Sequence, residues 1–168
     1  MQVTGGRNGY GAKLANIFST EFVIETCDGS RQKRYRQVFS KNMSMKSEPK
    51  ITACKPTDNW TCVEFKPDFA RFNMDSLEED TVALMRKRTY DLSGVLGSSV
   101  NVYYNGERLA VKTFQDYVNL YLGPKDNGVP RVHEKVGPRW EIVVSPTDGQ
   151  FQQVQHCTSP CSTPKCCL

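Results

Sequence analysis

A chain of 168 residues, 38% hydrophobic and 24% charged, has the length of one domain or parts of two and the balance of a soluble globular protein. No apolar run approaches the roughly 20 residues of a membrane span, and the N-terminus carries neither the charged nor the apolar region of a signal peptide, so the prediction is an intracellular protein with no membrane partner. A formal charge of +4 is mild and does not by itself argue for nucleic acid.

The chain opens on Gly5-Gly6-Arg7-Asn8-Gly9-Tyr10-Gly11-Ala12-Lys13, four glycines with an arginine and a lysine just ahead of a helical pattern. Glycine can turn its N–H groups toward an anion at φ values other residues avoid. A helix beginning at Ala12 adds unpaired N–H groups of its own, and Lys13 adds a point charge. Leu14, Ile17 and Phe18, at i, i+3 and i+4, predict that helix from Ala12 to Ser19, docked by one apolar face. Two better known glycine loops fail on spacing. A P-loop needs Lys directly after the last glycine and then Ser or Thr, where this chain has Ala12 and Leu14; a dinucleotide fingerprint needs a preceding strand and a third glycine, where the chain again has Leu14. On composition alone, an ordinary tight turn stays open beside phosphate binding.

Phe22 to Cys27 and Tyr35 to Phe39 are predicted antiparallel strands around Asp28-Gly29, and Thr61, Val63 and Phe65 mark a half-buried strand by alternation. Lys41 to Asn59 is polar with two prolines and predicts a loop around a short strand near Ile51 to Cys54. Asp75 and Ser76, with Glu78 and Glu79 three residues beyond each, form two overlapping capping boxes. They open a helix running to about Ser93, with Val82, Met85 and Leu92 on its apolar side. Val100–Tyr104 and Glu107–Val111 flank Asn105-Gly106, a type I′ hairpin signal. Thr113 starts a short helix through Leu122. Gly123 to Gly137 has the composition of a connector, and Trp140–Val144 pairs with Phe151–Val154 around Asp148-Gly149.

Several residue groups invite a functional reading that the spacing does not support. The basic cluster Arg31, Lys33, Arg34 and Arg36 could face DNA, although such a cluster more often forms a solvated strand face. Cys157, Cys161, Cys166 and Cys167 beside His156 lack the paired two-to-four-residue gaps of a zinc site, and Lys165 stands where a prenylation box needs cysteine. Glu78, Glu79 and Asp80 complement a helix dipole without a metal. His133 and His156 are assigned no role. Trp60 and Trp140 fit core or edge packing better than base stacking.

The glycine loop and the residues after it, Gly5 to Ser19, resemble the nucleotide-lid motif of eukaryotic type II DNA topoisomerases. Segments resembling the same enzymes follow in the same order: Gln37–Ser40, Phe65–Asp68, Val82–Met85, Arg88–Asp91, Tyr104–Gly106, Asp116–Val118, then Arg139–Glu141 and Gly149–Val154. The resemblance runs from Val3 to Val154 and implies an α+β chain: an incomplete GHKL-type ATPase α/β sandwich with a mixed sheet over 1–110, then the start of a ribosomal S5-like transducer over 111–154. Residues 155–168 depart from the family and predict a disordered tail, as a retained intron, alternative splice or frameshift would leave.

The resemblance also implies a site. Gly6, Arg7, Asn8, Gly9, Tyr10, Gly11, Ala12 and Lys13 would wrap the triphosphate of ATP through backbone N–H groups, with Lys13 meeting its charge. The parent enzyme would use Mg2+, act on double-stranded DNA as a homodimer and work in the nucleus. The family's general-base glutamate, metal-binding asparagine and transducer lysine fall outside the sequence, so no catalytic residue or metal ligand is assigned here. The expectation is that this polypeptide alone does not hydrolyse ATP. The alternatives are a non-catalytic truncated product that binds DNA or the parent enzyme, and an incomplete gene model.

Overall fold

The computed structural model describes residues 8–124, 128–137, 140–146 and 149. The chain divides into two compact units, Asn8–Leu77 and the residues from Glu78 onward.

The first unit begins with helix α1, Tyr10–Ile17, and continues as an antiparallel sheet of β1 (Ser19–Asp28), β2 (Lys33–Ser40), β3 (Met45–Lys46), β4 (Lys50–Ala53) and β5 (Asn59–Pro67). β1 is central, with β5 on one side and β2 on the other; β3 and β4 share the far edge of β2. Register sets the two faces. Phe22 stands opposite Phe39 on β2 and Phe65 on β5, and the ring centroids lie 6.3 and 6.4 Å apart. Ile24, Val63, Tyr35 and Ile51 extend that apolar face, because residues two apart in a strand share a side. On the opposite face, Glu21 pairs with Lys66 at 2.8 Å and Glu25 with Arg34.

Two turns hold this sheet. At Gly29 a Cβ would fall 2.2 Å from the carbonyl oxygen of Pro56, so only glycine lets the β1–β2 turn approach that backbone. Its N–H donates to Asn59 Oδ1 at 3.0 Å. After β2, Lys41, Asn42 and Met43 all take positive φ. That left-handed turn is tied down by Lys41 and Asn42, whose N–H groups donate to the carbonyls of Thr20 and Ser19, and by Asn42 Nδ2, which donates to Asp68 Oδ2 at 2.9 Å.

The predicted α1 is displaced. It starts at Tyr10 rather than Ala12 and ends at Ile17, because Ser19 already belongs to β1 and bonds through Oγ to the Ala15 carbonyl. Its docking also differs: Leu14 is 51% exposed and Ile17 exposed, whereas Asn16 and Ser19 are buried. What fastens the helix end is the Asp68 N–H donating to Phe18 O at 2.8 Å and the Phe18 ring against Phe72 at 5.2 Å. The polar 41–59 stretch carries β3 as well as the expected short strand.

The second unit contains α2 (Glu79–Leu96), the hairpin β6 (Tyr103–Tyr104) and β7 (Glu107–Arg108), α3 (Phe114–Leu122), and the pair β8 (Val132–Lys135) and β9 (Glu141–Val144). Asn105 and Gly106 both have positive φ, as a type I′ turn requires. The strands are shorter than predicted, since Leu109 and Val111 leave the hairpin to be buried. Thr113 caps α3 through a reciprocal box with Asp116, whose N–H donates to the Thr113 hydroxyl at 3.0 Å. Val111, Phe114, Tyr117 and Val118 form the core, with Tyr90, Tyr121, Leu122 and Val143 against it.

Three expectations fail in this unit. The capping boxes at Asp75 and Ser76 do not form: α2 is preceded by Glu78 with no side-chain cap, after a 3-10 turn over Phe69–Phe72 that closes on left-handed Asn73. Val82, Met85 and Leu92 are exposed, and the buried residues of α2 are Ser93, whose hydroxyl donates to the Val111 carbonyl at 2.6 Å, and Gly94, which lies against the Tyr117 ring of α3. The connector holds β8, which pairs with β9 in register Val132 to Val144. The partner expected for β9, Phe151–Val154, and the tail 155–168 lie outside the described residues.

Candidate functional site

The first turn of α1 carries the described part of the glycine motif. Gly6 and Arg7 lie outside the described residues; Asn8 and Gly9 lead into the helix, and Tyr10, Gly11, Ala12 and Lys13 form its first turn, all exposed. Gly9 sits at φ 68°, ψ 14°, left-handed, a conformation that glycine adopts without a Cβ penalty. Among the described residues no side chain caps this helix and no acidic residue stands in its first turn, so none of them neutralises the leading N–H groups and their partial positive charge. A Cβ at Gly9 or Gly11 would meet nothing within 4 Å. Gly11 therefore has no packing reason to be glycine in the middle of a helical turn, where it costs about 1 kcal/mol against alanine. Together these features suit an anionic group approaching the backbone, and Lys13 adds a cation on the same turn.

The basic cluster does not make one surface. Arg31 pairs with Asp28 at 2.6 Å, and Arg34 pairs with Glu25 while its guanidinium lies 5.6 Å over the Trp60 ring. Lys33 and Arg36, both exposed, alternate onto opposite faces of β2. No group of three or more His, Cys, Asp or Glu side chains able to hold a metal ion occurs among the described residues.

Sequence reasoning missed the polar network of the second unit. The Tyr117 hydroxyl donates to Asp91 Oδ1 at 2.6 Å and lies 2.9 Å from the Tyr121 hydroxyl. Lys87 Nζ reaches both Asp91 oxygens at 2.9 Å. Burial and the Asp91 carboxylate push the Tyr117 phenol up, so it stays a donor. Burial also pushes Asp91 up, but hydrogen bonds from Tyr117 and Lys87 and the charges of Lys87 and Arg88 outweigh it and hold the carboxyl below its ordinary value. The i, i+4 spacing of Lys87 and Asp91 was the available signal. His133, read as an idle surface residue, instead bridges elements: Nδ1 lies 2.8 Å from Gln115 Nε2 on α3 and Nε2 lies 2.7 Å from Glu141 Oε1 on β9.

The backbone as a whole defines the class. It is similar to the 43K ATPase domain of Thermus thermophilus gyrase B in complex with an aminocoumarin, with a TM-score of 0.54 over 82% of this chain and 38% of that one; at 18% identity the likeness is one of fold alone, the GHKL-type fold. The ATPase region of Saccharomyces cerevisiae topoisomerase II is nearer, with TM-score 0.81 and 46% identity over 91% of this chain and 40% of that one. In sequence the chain is 57% identical to DNA topoisomerase 2 of Arabidopsis thaliana over 94% of its own length, and 41% identical to that of Saccharomyces cerevisiae over 96%. No protein-family model matches. The chain belongs to the eukaryotic type II DNA topoisomerases and corresponds to a segment of their ATPase region. It spans about 11% of the length of the Arabidopsis relative and 12% of that of the yeast one.

Proposed function

We propose that this segment supplies the phosphate-binding lid of an ATP-driven type II DNA topoisomerase, the enzyme that passes one duplex through a transient break in another. The observation that carries the reading is the uncapped first turn of α1, where left-handed Gly9, unpacked Gly11 and exposed Lys13 stand together in a chain related to topoisomerase ATPase regions. Gly6 and Arg7 would extend the lid on the N-terminal side. Backbone N–H groups of the turn would hold the phosphates, Lys13 would offset their charge, and the Ser19–Asn42–Asp68 clasp would hold the helix at the head of β1. Mg2+ in such enzymes neutralises phosphate charge, and its ligands would come from outside this segment.

Residues 1–110 are assigned to the ATP-binding domain and 111–154 to the start of the transducer. The parent would act as a nuclear homodimer on double-stranded DNA. Apolar residues left open on β5 and α2, Val63 and Phe65 in one unit and Val82 and Leu84 in the other, fit a segment whose faces are covered by the remainder of the ATPase region. A separate DNA-binding role for the Arg31–Arg36 cluster is not favoured, because two of its arginines are already paired with carboxylates.

The test is equilibrium binding of a non-hydrolysable ATP analogue to the yeast ATPase region carrying this chain's residues at the matching positions. Lys13→Met should weaken binding about ten-fold or more, the worth of one charge-assisted contact. Unchanged affinity would remove Lys13 from the site.

A further inference from the structure

Cys27 and Cys54 lie far apart in sequence and meet in the fold. Cys27 is buried on β1, and Cys54 is half-buried just after β4, its thiol 3.7 Å from the carbonyl oxygen of Asp28, the residue next to Cys27. The path across the sheet explains the meeting. Cys27 faces Arg34 on β2, Arg34 faces Thr52 on β4, and the Cys54 N–H then donates to the Gln32 carbonyl, which turns the chain back over the end of β1. Both thiols line one cavity of about 350 Å3 with Arg34, Lys55, Asp58 and Trp60. Both are free. Cys62 is a third free thiol of the same sheet, but it is exposed on β5.

We propose that Cys27 and Cys54 are a peroxide-responsive dithiol that closes to an intramolecular disulfide, a modification site separate from the phosphate lid. Cys54, the more accessible of the two, is oxidised first. Its sulfur attacks one peroxide oxygen, the O–O bond breaks, and Cys54 becomes a sulfenic acid as the other oxygen leaves as water. The Cys27 sulfur then attacks the Cys54 sulfur. The new S–S bond forms, the S–O bond breaks, and the hydroxyl leaves with the Cys27 proton as a second water. Two thiols and one hydrogen peroxide thus give one disulfide and two waters, the sulfurs together losing two electrons. Burial, and after it the Cys54 neighbour, push the Cys27 thiol up, which suits the resolving rather than the first-attacked position. The bridge would join β1 to the β4–β5 connection, on the strand that α1 feeds.

The test uses the full chain with Cys62, Cys157, Cys161, Cys166 and Cys167 changed to Ser, leaving only this pair. The chain is treated with hydrogen peroxide in native buffer and, separately, in concentrated urea, then alkylated, digested and read by mass spectrometry. The expected result is a Cys27–Cys54 linked peptide, lighter by two hydrogens, several-fold more abundant in buffer than in urea and reversed by a thiol reductant. In the further variant Cys54→Ser, Cys27 should remain alkylatable after the same treatment. Equal linkage in buffer and urea, no linkage, or progress of Cys54 to the sulfinic acid while Cys27 stays fully alkylatable would each overturn the proposal.

Discussion

Removing the Tyr117 hydroxyl probes the contact between α2 and α3 with almost no change in shape. Tyr117 is 2% exposed, and its phenol donates to Asp91 at 2.6 Å. A hydrogen bond to an ionised acceptor contributes about 1.5–3 kcal/mol to stability. In Tyr117→Phe the Asp91 carboxylate keeps Lys87 at 2.9 Å and Arg88 at 3.4 Å, so it is not stranded. The expected loss therefore sits at the lower end, about 1.5–2 kcal/mol. Urea denaturation followed by circular dichroism reads this directly; with a slope near 2 kcal/mol per molar, the midpoint should fall by roughly 1 M. Tyr121→Phe removes a bond to the neutral Tyr117 hydroxyl and should lose less, about 0.5–1 kcal/mol. A Tyr117→Phe midpoint within error of the parent, or a larger loss from Tyr121→Phe, would refute the claim that the Asp91 bond holds the helices together.

Gly29→Ala drives a Cβ to 2.2 Å from a backbone oxygen that cannot rotate away, so the β1–β2 turn must shift and the melting temperature should drop, with a penalty on the order of 1–3 kcal/mol; an unchanged melting curve contradicts the close approach. Asp91 has a folded pKa held below that of the unfolded chain, so its contribution is fully present above about pH 4 and is lost as pH falls through the folded value. Urea midpoints should accordingly be flat from neutral pH to about pH 5 and fall below about pH 4, with a shallower acid slope in Asp91→Asn; an equal slope in both would show that other carboxylates carry the effect. Neutralising Arg31, Lys33, Arg34 and Arg36 together should leave the salt dependence of DNA retention by a full ATPase region unchanged, and a clear reduction of that slope would restore the cluster as a DNA contact.

Local signals carried furthest in the sequence. Asn105-Gly106 specifies its turn because both residues tolerate positive φ, and the structure shows both there. Thr113 marks the start of α3, where its hydroxyl and Asp116 satisfy each other's backbone. The glycine motif was legible as the lead into a helix, and Gly9 does stand at the head of α1. Features decided by tertiary contact were not legible. Val82, Met85 and Leu92 have the spacing of a core stripe, yet within the described residues α2 meets α3 through Gly94 against the Tyr117 ring, a close approach that no hydrophobic period encodes. β8 is a four-residue strand inside Gly- and Pro-rich sequence, and its pairing with β9 is a long-range fact that no local period contains. His133 gave no local signal, as its partners Gln115 and Glu141 come from two other elements.

The central claim is that this chain forms a working part of a topoisomerase ATPase. ATP turnover by the Saccharomyces cerevisiae ATPase region, with the segment matching this chain exchanged for residues 8–124, tests it most directly. The account predicts turnover close to that of the unexchanged region and a loss of ten-fold or more on Lys13→Met. An exchanged region that melts like its parent yet hydrolyses no ATP, or one indifferent to Lys13→Met, would contradict it.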